Sequence, residues 1–338
     1  MRSNLIVGFG LACFVSAGHG QNYKPRLTEF GIPDIQGVWN FSTYAPFERP
    51  ERLGEQEFFS REELQAAAQR RAASAEDREQ RETEAARRAL ESTSTSVASV
   101  NFFWMEMDGL TENKRTSVII HPSNGRIPPV RDGVIIQRSD PNGVRELPGE
   151  RPVKFTHGGI SSNGPEDRGL SERCLVFNSG PPLFSGPYNN NLQIIQNRDH
   201  VVLLTEMGFD ARIVPLQQKF QLDNEITLWS GDSSGYFNGN TLVVETRNFT
   251  AKVGSLSLRG AAYGNAEARL LIEKFIPTSA TTMDYEWTIE DSITFTDRIV
   301  GIMPMTRTDD KLYEYACHAG NYAIGNILKG ARAVEAGF

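Results

Sequence analysis

Three short stretches gather residue types able to move a proton or hold a polar group. Glu206-Met207-Gly208-Phe209-Asp210-Ala211-Arg212 sets two carboxylates and a guanidinium around a strand break. If Glu206 and Asp210 face a dry cavity, burial disfavours their charged forms and one of them serves as acid or base. Arg212 then orients the other or binds an anionic group bidentately. On a solvated surface the same residues form an ion pair of small energetic weight. Tyr313-Glu314-Tyr315-Ala316-Cys317-His318 adds phenols, a carboxylate and an imidazole. On a strand, Tyr313, Tyr315 and Cys317 share one face. The His318 imidazole can exchange protons, or it bonds a nearby carbonyl in a structural role. A Cys-His nucleophile pair needs a free thiol at Cys317. Tyr188-Asn189-Asn190-Asn191 presents consecutive amides that can fix a carbonyl or hydroxyl, or simply build a turn. The candidate catalytic residues are therefore Glu206, Asp210 and His318. The candidate substrate-binding residues are Tyr188, Asn189, Asn190, Asn191, Arg212, Tyr313 and Tyr315.

The common cofactor and metal signatures do not appear. His121, His157, His200 and His318 show no metal-ligand spacing such as two histidines four apart on a helix. There is no Gly-x-Ser-x-Gly elbow, and Gly231-Asp232-Ser233-Ser234-Gly235 reads as a turn before a strand. No glycine-rich loop is placed to cradle phosphate. We expect no metal and no cofactor. The formal charge of −7 argues against nucleic acid and against anionic lipid as partners.

The chain that must position these groups begins with an export signal. Arg2 supplies a charged start, residues 5–15 are apolar or small, and Ser16-Ala17-Gly18-His19-Gly20 supplies a small-residue cleavage region. Residues 1–20 are expected to be removed, leaving 21–338 as a single periplasmic or secreted domain with no membrane helix. Free export is expected ahead of lipid attachment at Cys13. Of the three cysteines, Cys174 and Cys317 then remain. In an oxidising compartment they form a disulfide, or they stay as two buried thiols.

Within 21–338 the pattern is mainly β. Residues 34–42 form an opening strand carrying Gly37-Val38-Trp39. Ser60 followed by Glu63 is a capping box, and residues 60–91, rich in Ala, Glu, Gln and Arg, form a long, mostly solvated helix. Strands are expected at 101–107 and 115–121. Residues 121–190, dense in Pro, Gly and Asn, form a loop-rich lid or rim, or a mobile excursion. Strands follow at 192–196, 200–207, 211–216, 236–237, 241–248, 269–276, 282–290 and 293–303, with turns such as Asn238-Gly239 between them. Met283, Tyr285, Trp287 and Ile289 share one face of their strand. A short helix spans 322–333. Regular short strands separated by turns indicate an antiparallel barrel.

Several segments together carry a resemblance. They are Pro33-Asp34-Ile35-Gln36-Gly37-Val38-Trp39-Asn40, Gly164-Pro165-Glu166-Asp167-Arg168, Ser171-Glu172-Arg173-Cys174, Tyr188-Asn189-Asn190-Asn191, Asp210-Ala211-Arg212-Ile213-Val214-Pro215 and Tyr313-Glu314-Tyr315-Ala316-Cys317-His318. Through them the chain resembles a large group of exported bacterial proteins, a likeness that covers most of 34–331 and implies no particular chemistry. The Gly-x-Trp opening and the strand meander also resemble lipocalin-like (calycin) barrels at the level of fold. A barrel lined by Met, Tyr and Trp suits a small, apolar, aromatic ligand. The leading expectation is a cofactor-independent lyase on such a compound, for example a lignin-derived phenolic dimer, working by acid-base catalysis. A non-catalytic periplasmic carrier of a hydrophobic molecule is the alternative. A third is an interaction protein docking through the 60–91 helix.

Overall fold

The computed structural model describes residues 23–91, 114–139, 151–216, 220 and 222–337. The expected leader at 1–20 and the expected strand at 101–107 lie outside them. Among the described residues thirteen strands form two sheets. In chain order they are β1 (Gly37–Asn40), β2 (Ile119–His121), β3 (Ile136–Arg138), β4 (Asn191–Gln196), β5 (His200–Thr205), β6 (Ala211–Pro215), β7 (Asp232–Asn238), β8 (Thr241–Arg247), β9 (Leu256–Ser257), β10 (Ala261–Tyr263), β11 (Leu270–Pro277), β12 (Thr282–Glu290) and β13 (Ile299–Thr308). The helices are α1 (Arg61–Glu91) and α2 (Ala323–Glu335).

The large sheet runs β6-β5-β4-β1-β13-β12-β11-β8-β7, with β2 added to β13. Every hydrogen-bonded neighbour pair in this path is antiparallel. An odd number of strands then leaves the two end strands pointing the same way, and Leu216 meets Gly235 in a parallel bridge across the gap. The result is a nearly closed nine-strand barrel with one seam. Gly235 permits the approach: a Cβ there would stand 2.8 Å from Val214 Cγ1. Closure at the seam covers two edges that would otherwise offer unpaired backbone groups.

Alternation fills the interior. Trp39, Leu192, Ile194, Val201, Leu203, Val214, Leu242, Val244, Leu271, Phe275, Met283, Tyr285, Trp287, Ile289, Met303 and Met305 form one buried cluster. Several boundaries differ from the sequence reading, β1 and β2 being shorter than expected, and two of the differences have a local cause. The strand expected at 293–303 begins at Ile299, because Asp291 caps a turn instead, accepting N–H bonds from Ile293 and Thr294 and the Thr294 hydroxyl. The turn expected at 231–235 is largely strand: β7 starts at Asp232, and Ser233 bonds the Thr246 hydroxyl inside the barrel.

The described residues of the 121–190 region (121–139 and 151–190) pack against the body through a second small sheet, β3-β10-β9. They carry their own apolar cluster of Val153, Phe155 and Ile160 around Ala262. The start of α1 shows the reciprocal Ser60–Glu63 cap: Ser60 N–H donates to Glu63 at 2.7 Å, and Glu63 N–H to Ser60 Oγ at 3.2 Å. Glu63 is held below its ordinary range, first by that backbone bond. At the other end of the chain, Ile324, Ile327, Leu328 and Ala331 are the half-buried positions of α2, at the spacing of one helix face.

Candidate functional site

The antiparallel weave brings the ends of β1, β5, β8 and β12 and the starts of β4, β6, β7, β11 and β13 to one end of the barrel. Most of the candidate residues lie at this end, on two sides of its wall.

Arg212 is inside. It shares the inward face of β6 with Val214, and Glu273 shares the inward face of β11 with Leu271 and Phe275. In the ring β8 and β7 stand between these strands, so the ion pair crosses the interior. It is bidentate, at 2.6 and 2.9 Å, with the Glu273 side chain fully buried. Tyr285 on β12 donates its hydroxyl to Glu273 Oε1 at 2.7 Å and accepts the Leu183 N–H at 3.0 Å. Burial, and then the Glu273 charge, push the Tyr285 phenol well above its ordinary range. Burial opposes the Arg212 charge, but Glu273 outweighs it and the net shift is upward. Arg269, just before β11, is also buried and lies 3.7 Å over the Phe249 ring. It donates to the Ser255 carbonyl at 3.0 Å. Burial lowers it to about 9, which leaves it charged at neutral pH.

Residues 181–184 cover this network. Pro181 and Leu183 supply the backbone partners of Arg269 and Tyr285. Phe184 packs edge-on against Trp287, with centroids 5.5 Å apart, and against Phe47 at 5.1 Å. Asn178 fixes the segment from behind, exchanging bonds with the Phe184 backbone at 2.7 and 2.9 Å.

Outside the wall lies a second group. Glu206 is 4% exposed. It accepts Asn191 Nδ2 at 2.7 Å and the Tyr313 N–H at 3.2 Å, and Asn40 Nδ2 donates to Asn191 Oδ1 at 3.0 Å. Among the described residues its partners are amides. Asn190 is a turn former here: its side chain exchanges bonds with the Gly186 backbone at 2.6 and 3.0 Å. Asn189 occupies the left-handed region at φ 56°. Tyr315 packs on Phe177 at 5.3 Å, and burial, followed by the adjacent Tyr188 phenol, raises its pKa.

Cys174 and Cys317 form a disulfide with Cα atoms 5.9 Å apart. Beside it is a groove of about 350 Å³ lined by Ser171, Glu172, Tyr315, Cys317, Asn321 and Ile327. Its carboxylate is already engaged, since Glu172 pairs with Arg168 at 2.8 Å and accepts the Gly158 N–H at 3.0 Å. The chemistry of the groove is therefore poorer than that of the barrel interior.

The structure thus divides the candidates. Glu206, Asn191 and the Tyr313 backbone meet, and so do Tyr188 and Tyr315. Arg212 is committed to Glu273 rather than to Glu206 or Asp210. Asp210 is exposed and accepts the Ser230 hydroxyl at 2.8 Å. His318 is exposed in a turn. Residues 313–317 are not a strand in the structure, so the shared face read for Tyr313, Tyr315 and Cys317 does not arise from a ladder. The sequence reading missed Glu273 and Arg269. Glu273 carried a usable signal, a carboxylate on the apolar face of an alternating strand.

Comparison with protein-family models, with curated proteins and with solved structures finds no match.

Proposed function

We propose that this is an exported, cofactor-independent lyase that takes a small, largely apolar aromatic compound, such as a lignin-derived phenolic dimer, into the covered end of the barrel. The observation that carries the reading is the buried Arg212–Glu273–Tyr285 network. Ionised groups in a protein interior are costly, and an apolar trio of similar volume is often at least as stable, so a network of this kind marks a functional candidate. Its geometry suits an elimination. Glu273 takes the proton from carbon as the carbon–oxygen bond breaks, and Tyr285 gives its proton to the leaving oxygen. The phenolate then recovers a proton from Glu273 along their shared hydrogen bond, restoring both groups. Arg212 holds the carboxylate in place throughout. Residues 181–184 must lift to admit the compound, which frees the Tyr285 oxygen from the Leu183 N–H. Kinship with the exported group and with calycin barrels belongs to the same reading and rests on the sequence motifs. The disulfide accords with an oxidising compartment.

The test is turnover of a panel of phenolic ethers by the 21–338 chain, followed by mass spectrometry without added cofactor. Tyr285→Phe, with its near-ultraviolet circular dichroism unchanged, is expected to lose about 100-fold or more, the usual worth of a positioned acid or base. Undiminished turnover in that variant overturns the assignment. Retention of unaltered compound, with no product across the panel, makes the protein a carrier.

A further inference from the structure

Trp287 sits beside the network and takes no part in it. It is fully buried, and its indole N–H has no acceptor among the described residues. Leaving a buried donor unpaired is expensive, and such groups are few in native structures. The fold nonetheless makes room for this one. Trp287 pairs across the ladder with Gly301, and a Cβ at Gly301 would come 2.8 Å from Trp287 Nε1 and closer still to its ring carbons. The indole therefore packs so close to Gly301 that any side chain there would collide with it. Phe47 stacks near-parallel on it, at 9° and 6.1 Å between centroids. Phe184 stands edge-on to both rings. Phe47 and Phe184 are half-buried and come from loops, whereas Trp287 is anchored in a central strand.

We infer that Trp287 and Phe47 form an aromatic-ring subsite, and that Phe184 occupies it as an internal stand-in until a ligand takes its place. The Trp287 N–H then donates to an oxygen carried by the ligand ring. The ligand class is an aromatic ether or aryl carbonyl rather than a plain hydrocarbon. This inference rests on the barrel end being the binding site proposed above, but not on any catalysis there.

The experiment is calorimetric binding of two probes of nearly equal shape, anisole and ethylbenzene, to the 21–338 chain. One donated hydrogen bond is worth about tenfold in affinity, so the wild-type protein is expected to prefer anisole by about that factor. Trp287→Phe keeps the aromatic surface and loses the preference. Phe184→Ala removes the internal competitor and binds both probes more tightly, by about tenfold where the covered state dominates, with the preference intact. A wild-type protein that binds both probes equally overturns the role of the indole N–H, whether or not Trp287→Phe folds. A Phe184→Ala variant that folds and binds no more tightly overturns the stand-in. Binding with the expected preference but no turnover of any phenolic ether leaves the subsite standing and removes the lyase.

Discussion

Arg212 and Glu273 have few alternatives to each other. Each is a charge taken out of water, and each is satisfied by the other at 2.6 and 2.9 Å. Removing one partner strands the other, which typically costs about 3–5 kcal/mol. Removing both takes away the paired charges together and leaves the Tyr285 hydroxyl bonded to the Leu183 N–H. We therefore expect Glu273→Gln and Arg212→Met to lower the urea midpoint sharply, and Arg212→Met/Glu273→Met to recover most of the loss. Additive losses in the double variant would mean that the two charges do not depend on each other. Tyr285 gives a pH prediction whose sign is fixed by its raised native pKa. The native state holds this proton more tightly than the unfolded chain does. The resulting stability is fully present below the ordinary tyrosine value of about 10 and is lost as pH rises through the higher native value. Alkaline unfolding of the wild type should steepen once the pH exceeds about 10, relative to Tyr285→Phe. In the rate profile, Tyr285 should give no basic limb below pH 10.

The elements show what periodicity reveals and what it hides. β12 was legible in full, with the same bounds, because Met283, Tyr285, Trp287 and Ile289 alternate with polar residues, and all four are buried. Glu273 and Arg212 could each have been noticed as charges on apolar faces. That they meet could not, because the meeting depends on the order β11-β8-β7 and on a seam closing from β7 to β6, and side-chain period carries no such information. Residues 313–317 alternate like a strand yet pair with no ladder among the described residues. Their backbone is held by a side chain instead, through the bond from Tyr313 N–H to Glu206. Asp291 delayed β13 for a similar reason, since a local side-chain turn competed with the ladder. The seam itself is testable. Gly235→Val would drive a side chain into Val214 and Leu216, whose nearest atoms to a Cβ there are 2.8 and 3.7 Å away. We expect a loss of about 1–3 kcal/mol by overpacking, together with faster hydrogen exchange in β6 and β7 than in β12. Uniform exchange across all three strands would show that the seam is not a weak line in the barrel.

Across the whole molecule, one covalent bond ties together parts that packing barely joins. Residues 309–337 contain no buried position. They are fastened by the Tyr313–Glu206 bond, by contacts of Arg332 with the Ser162 and Asn163 carbonyls at 3.3 Å, and by the disulfide. The disulfide joins cysteines 143 residues apart, a loop long enough to constrain the unfolded chain by about 5 kcal/mol in the chain-entropy view. Cys174 also lies in the loop that continues into residues 181–184, and Tyr315 packs on Phe177 and Tyr188 of that same loop. Reduction by a dithiol should therefore act at two levels. The unfolding free energy from urea titration should fall by an amount near that constraint, because the reduced unfolded chain gains freedom. Tyr285 and Trp287 belong to the central strand β12, so the near-ultraviolet signal of the barrel should persist below the new midpoint. The C-terminal segment, held only by surface contacts, should then open to trypsin at Lys311, Lys329 and Arg332 before the barrel is cut. If the reduced protein resists trypsin as well as the oxidised one, the segment is held by its non-covalent contacts, and the disulfide acts on the unfolded state alone.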